Sequence, residues 1–182
     1  MRTTNELIDL VNKWAEDKGI HKEANFFAQI MKTYEEVGEV ISAIESNNKE
    51  ELSDGIGDSI VTLINAAWFL GEDKFKTLLV QKNDALDFIK NNYGEDSLRV
   101  NISGIIKDLL KEMSYIFSEY INVKNPNFEE IELSIIRILN TLDILCYNFK
   151  LDFTKCLDGA YEVISKRTGY MNDNGQFIKT NL

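Results

Sequence analysis

One proline, two cysteines and one histidine among 182 residues exclude several classes of protein. With so few helix breakers, and only ten glycines, the chain retains uninterrupted segments of helical length. Cys146 and Cys156 are too few for a disulfide framework and match no zinc-finger spacing, so they read as core thiols in a reducing compartment. A lone His21 removes histidine-based triads and most zinc hydrolases, which need several imidazoles. Positive charge is also scarce, with 20 Lys and Arg against 30 Asp and Glu and a formal net charge of −10. A nucleic-acid backbone is therefore not an expected partner. Small polyphosphates remain open to an acidic chain when a divalent metal supplies the positive charge. No apolar run reaches the ~18 residues of a membrane span, so no membrane partner is expected. The opening "MRTTNELIDLVNKWAEDKGI" is amphipathic and charged rather than signal-like, and a cytoplasmic location is the expectation.

Amphipathic helices account for most of what is present. Leu7, Leu10, Val11 and Trp14 recur at helical spacing behind a cap at Thr4 or Asn5, and Gly19 ends that helix. A second helix is expected from Lys22 to Ser46 and a third from Glu50 to Leu70. The second half of the third, "SIVTLINAAWFLG", is apolar nearly all round and should be enclosed by others. A fourth covers "EDKFKTLLVQKNDALDFIKNNYGED". The pattern then repeats weakly. "IIKDLLKEMSYIFSEYI" aligns with "IMKTYEEVGEVISAIES", setting Glu112 on Glu36, and "NPNFEEIELSIIRILNTLDIL" aligns with the third helix, setting Asn140 on Asn65. "LDFTKCLDGAYEVISKR" aligns with the Lys74–Ile89 helix. An unrelated trio of amphipathic helices would give the same pattern. In the tail, Asn174-Gly175 between two short β-compatible runs signals a hairpin or arm, although a frayed terminus fits as well.

The expected architecture is one all-α domain over 1–182, a helical bundle closed by a small C-terminal β-hairpin or arm. Its parts are a metal-binding half at 1–90, a degenerate repeat or insertion at 100–165, and the arm at 166–182.

Acid is concentrated where the helices must pack. Gln29, Lys32, Glu36 and Glu39 fall within roughly 80° of one helix. Glu51, Asp54, Asp58, Thr62 and Asn65 form a similar stripe on the next. If the stripes face each other, the carboxylates repel unless cations lie between them, and hard oxygen donors suit Mg²⁺ or Mn²⁺. Gly38, Gly55 and Gly57 beside these acids would leave room for metal, water and ligand. Two ordinary solvated faces fit the same spacing. Glu35 lies off the stripe.

"QIMKTYEEVGEV" (29–40) followed by "ELSDGIGDSIVTLIN" (51–65) resembles the MazG-like all-α nucleoside triphosphate pyrophosphohydrolases, a superfamily that includes the dimeric dUTPases. Their motif is E-x-x-E on one helix and E-x-x-D on the next. Glu36, Glu39 and Asp58 match it, whereas Gly55 stands where a Glu belongs, so Asp54 or Glu51 must substitute. The tail "AYEVISKRTGYMNDNGQFIK" resembles the close of short phage and bacterial members. The fold so implied is two MazG-like half-units, the second degenerate because Tyr115 and Leu133 stand where Glu39 and Asp58 would. The activity implied is Mg²⁺-dependent cleavage of an NTP or dNTP to the monophosphate and pyrophosphate.

In that reading Glu36, Glu39, Glu51, Asp54 and Asp58 supply the metal ligands, with Mn²⁺ as the alternative metal, and Glu35 or Glu36 orients or deprotonates the attacking water. Lys32, Lys166, Arg167 and Lys179 contact phosphate, with Lys32 equally suited to a one-turn ion pair with Glu36, while Gln29, Asn65 and Trp14 (or Trp68) meet the nucleoside. A homodimer or a monomeric pseudo-dimer would complete the bundle. The rival expectations are a catalytically decayed helical module that binds nucleotide, metal or protein, and a purely structural acidic bundle.

Overall fold

The computed structural model describes residues 2–99, 101–122, 125–173 and 177–180. The chain is all-α with a small C-terminal hairpin. α1 (Thr4–Asp17) is capped one residue earlier than the spacing suggested. Thr3 Oγ1 accepts from the Glu6 amide at 3.3 Å, and the Glu6 carboxylate takes the Thr3 amide at 2.7 Å, a reciprocal capping box. Gly19 turns the chain at φ 78° into the single-turn α2 (Ile20–Glu23). The helix expected from Lys22 is thus interrupted, because Asn25 caps a new start by accepting from the Ala28 amide at 2.9 Å. α3 (Phe26–Glu45) and α4 (Lys49–Trp68) follow, the latter capped by Asn48. Next come α5 (Lys74–Tyr93), a 3-10 turn at Glu95–Leu98, α6 (Ile102–Asn122), α7 (Phe128–Phe149) and α8 (Phe153–Ile164). β1 (Gly169–Met171) pairs antiparallel with β2 (Phe177–Lys179), with Gly169 opposite Lys179. The expected Asn174-Gly175 turn lies outside the described residues.

The helices sort into two compact units, Met1–Phe75 with Thr154–Leu182, and Lys76–Phe153. These bounds differ from the halves expected at 1–90 and 100–165, since all but the first residue of α8, and the arm, belong with the N-terminal helices. Helix contact explains the first unit. A Cβ on Gly57 would stand 2.3 Å from the Cys156 carbonyl oxygen and 2.9 Å from the Ala160 Cβ, so α8 presses directly on α4. Arg2 adds ion pairs to Asp158, at 2.6 Å, and to Glu162.

Within this unit α3 and α4 run antiparallel. Val40 meets Gly55 and Thr33 meets Thr62, so rising numbers on one helix oppose falling numbers on the other. From Gly55 to Ala67 every α4 residue except Asp58 is buried, as the apolar run requires. Two of the three glycines serve this packing and leave no room for a ligand. A Cβ on Gly55 would lie 3.1 Å from Val40 Cγ2, whereas Gly38 alone faces open space. Gly57→Ala should accordingly lose about 1–3 kcal/mol through overpacking. Gly38→Ala should gain up to about 1 kcal/mol from helix propensity. Urea unfolding of both variants checks the pair.

The second unit pairs α6 with α7. Glu112, only 5% exposed, accepts from Ser134 Oγ at 2.9 Å and Arg137 Nη1 at 3.3 Å. Lys82 is buried too, ion-paired to Asp143 and 4.5 Å above the Phe153 ring. Neither cysteine is in a disulfide, and both are buried. Among the described residues no helix is long and apolar enough to cross a membrane.

Candidate functional site

The two acidic stripes do face each other across α3 and α4, and the residues they share line cavities of the first unit. One cavity, of about 100 Å³, takes Gln29, Lys32 and Glu36 from α3 and Asp58, Thr62 and Asn65 from α4. Trp14 of α1 closes one side. Arg167, Phe177 and Lys179 of the C-terminal segment close another. A second, open depression of about 330 Å³ lies at the positions one and two turns further along the pair and takes Glu39, Ser42, Glu51 and Asp54, all of them exposed. The five acids expected to ligate metal are thus divided between two cavities. Among the described residues no group of three or more Asp, Glu, His or Cys is placed to hold a metal ion.

Electrostatics still ties the acids together. Burial is the largest cause that raises the Glu36 carboxyl to about 7, followed by the negative charges of Asp58 and Glu39; Lys32 and Lys179 oppose it. Asp58 is also raised, first by burial, with Arg167 as the strongest opposing influence and Asp54 adding repulsion. Glu36 and Asp58 are 13% and 16% exposed at the side chain, so solvent screens them poorly. Lys32 does little to relieve Glu36. Its ammonium pairs with exposed Glu35 and stays 4.0 Å from Glu36. Arg167 Nη2 lies 3.6 Å from Asp58 Oδ2, beyond the usual length of a charge-assisted hydrogen bond.

The other end of the smaller cavity is built from buried polar groups. Gln29, Thr62 and Asn65 are 7%, 8% and 2% exposed. Thr62 donates to the Ser59 carbonyl at 2.9 Å and lies 3.0 Å from Thr33 Oγ1. Trp14 Nε1 and Asn65 Oδ1, one donor and one acceptor, are buried with no hydrogen-bond partner among the described residues. Buried polar atoms are rarely left unpaired, and both of these residues line the cavity. Phe177 approaches Trp14 edge-on at 6.0 Å and 70°.

Not every expected residue reaches this cavity. Glu35 is exposed, and Lys166 is exposed and 3.6 Å from Glu162. Trp68 belongs to another cavity of about 320 Å³, whose walls carry Asn12 and four carboxylates. Its ring stacks on His21 at 4.0 Å and 3°. Two cavity residues were missed as site candidates. Phe177 was legible in the tail, because it stands two residues from Lys179 and so shares its face of β2. Thr62 was read only as part of the acidic stripe.

His21 carries a separate consequence. Burial lowers its pKa from 6.5 to about 4, only partly offset by the nearby Asn65 amide, and neither ring nitrogen has a partner of normal hydrogen-bond geometry among the described residues. The folded state therefore binds a proton less readily than the unfolded chain. The contribution of neutral His21 to stability should be complete above pH 6.5 and lost as pH falls through 4. Tm measured from pH 7 to 4 should fall less steeply in His21→Phe than in the wild type.

No protein-family model matches the chain, and no solved structure matches it. Over 64 residues it is 31% identical to a protein of Haemophilus phage HP1 described as an uncharacterized 18.2 kDa protein in the rep-hol intergenic region. The aligned stretch covers 35% of this chain and 39% of that protein.

Proposed function

We propose that the first unit is a Mg²⁺-dependent nucleoside triphosphate pyrophosphohydrolase of MazG-like type, converting an NTP or dNTP to its monophosphate and pyrophosphate. One observation carries this reading. A single cavity joins a poorly neutralised acid pair, Glu36 and Asp58, to a buried unpaired donor and acceptor, Trp14 Nε1 and Asn65 Oδ1. A nucleotide has the matching halves, a polyanion that needs a cation and a base edge that needs hydrogen bonds.

The donor set suits the metal. Mg²⁺ retains several waters and is held by one or two carboxylates together with substrate phosphates, so it does not require a closed protein cage. Glu36 and Asp58 would hold it, with Glu39, Asp54 or Glu51 reached from the neighbouring cavity. When bound, it neutralises phosphate oxygens and lowers the pKa of a coordinated water. The chain's own residues do the rest. Glu36, on the wall of the same cavity, would orient or deprotonate the attacking water. Lys32, Arg167 and Lys179 present positive charge to the phosphates from the same cavity. Trp14 and Phe177 form the apolar wall, and Gln29 and Asn65 read the base. Exposed Glu35 is left as the partner of Lys32.

A second reading, a decayed module that binds nucleotide without turnover, is favoured by Gly55 at the place of a family glutamate and by Arg167 beside Asp58. One panel separates the two readings: NTPs, dNTPs and ppGpp with Mg²⁺, with products identified. Monophosphate and pyrophosphate from a nucleotide support the enzyme. Saturable binding with no product across the panel would replace it with the module.

A further inference from the structure

We propose that the C-terminal arm carries a built-in counter-ion. Arg167, with Lys179 beside it, partly offsets the charge of Asp58 in the metal-free protein, yields that place to a divalent cation, and turns to the phosphates of the ligand. This rests on the metal-dependent reading of the same cavity. Arg167 is the strongest influence opposing the raised pKa of Asp58, and Lys179 acts on both Asp58 and Glu36. The two cations are brought together by the hairpin. Lys179 is registered opposite Gly169, two residues beyond Arg167. Phe177, on the same strand, holds the arm against Trp14.

The second unit provides an internal contrast. There Glu112, aligned with Glu36 in the repeat, has a complete set of partners. Ser134 Oγ lies at 2.9 Å, Arg137 Nη1 at 3.3 Å and Lys111 Nζ at 3.5 Å, all from the α6–α7 pair itself. That carboxylate is held by groups of its own helix pair. Asp58 instead has a guanidinium at 3.6 Å that comes from outside the α3–α4 pair, on the segment between α8 and the hairpin. Such a contact gives up little hydrogen-bond energy when it breaks. A cation on Asp58 and a guanidinium at the same carboxylate repel each other, so metal and Arg167 compete. Once the cation is in place, the triphosphate offers Arg167 a negative charge in the same cavity.

Competition gives one substitution two opposite effects. In the full chain, Arg167→Gln should bind Mg²⁺ alone several-fold more tightly by calorimetry. With saturating Mg²⁺ it should bind α,β-imido dUTP or dCTP about tenfold more weakly, as loss of a charge-assisted contact implies. Lys179→Gln should move both affinities in the same directions by less, and Arg167→Lys should leave Mg²⁺ affinity near that of the wild type. Glu36→Gln is the control for the underlying reading, and it should abolish Mg²⁺ binding. If the wild type binds Mg²⁺, Glu36→Gln does not, and Arg167→Gln binds it no more tightly than the wild type, the counter-ion proposal fails while the metal site stands. If neither wild type nor Arg167→Gln binds Mg²⁺, both fail.

Discussion

Glu36→Gln should abolish pyrophosphate release, by at least about 100-fold, while making the unloaded protein more stable at neutral pH. The activity loss follows from removing both a metal-holding oxygen and the group placed to take the water proton, each worth orders of magnitude in rate. The stability gain follows from the raised pKa. The folded state holds the Glu36 proton up to about pH 7, whereas the unfolded chain releases it near 4.5. Stability linked to this group is therefore full below pH 4.5 and lost as pH rises through 7, up to about 3 kcal/mol. Glutamine keeps the shape and removes that loss. His21 acts in the opposite direction over an overlapping range, so the wild-type profile between pH 4.5 and 6.5 is a partial cancellation that each single variant unmasks. Added Mg²⁺ should raise the Tm of the wild type and not that of Glu36→Gln, since a ligand stabilises only the state that binds it. Wild-type-like turnover in Glu36→Gln, together with the same Mg²⁺ response, would remove the acid pair from the mechanism.

Periodicity made the helices legible because each buries one stripe, and it made α4 stand out because its second half is apolar on every side. It also brought the acids face to face, since two stripes on antiparallel neighbours joined by a three-residue loop have little choice. What it could not show was how far apart the acids would stand along that pair. Glu36 with Asp58, and Glu39 with Asp54 and Glu51, occupy successive levels and line different cavities. The glycines misled for a related reason. A missing side chain admits a neighbouring helix as readily as a ligand, and Gly55 and Gly57 admit Val40 and Cys156. The break before α3 was hidden because Asn25 acts through a cap, which interrupts a helix without disturbing its apolar spacing. Assignment of α8 to the first unit was also hidden, because a repeat alignment reports likeness between segments and not which segments touch.

Asn65→Leu should separate binding from folding in the same manner, at the other end of the cavity. Asn65 is 2% exposed, and its Oδ1 has no partner of normal hydrogen-bond geometry among the described residues, so in the unloaded protein its desolvation cost is only partly offset, by the nearby His21 ring. Leucine has the same branched outline with bulkier methyl groups and no such acceptor, and where the adjoining cavity takes up the extra volume it should stabilise the empty protein by about 1 kcal/mol. A site built to hydrogen-bond its ligand discriminates strongly when one of its groups is lost, by factors of about 100 or more in kcat/KM. Turnover should fall by that order, with the remaining activity less selective among bases, because the leucine reads none of them. A structural role for Asn65 predicts the reverse, a loss of stability with the base preference unchanged among molecules that still fold. Tm and a comparison of kcat/KM for dUTP, dCTP, dATP and dGTP are sufficient to decide. Nearby Trp14→Phe is the companion measurement, since it keeps the ring against Phe177 and removes only the unpaired Nε1 donor. A ligand that uses both groups should be weakened by either substitution. The double variant should then lose less than the two single effects combined, as expected for groups that hold one ligand between them.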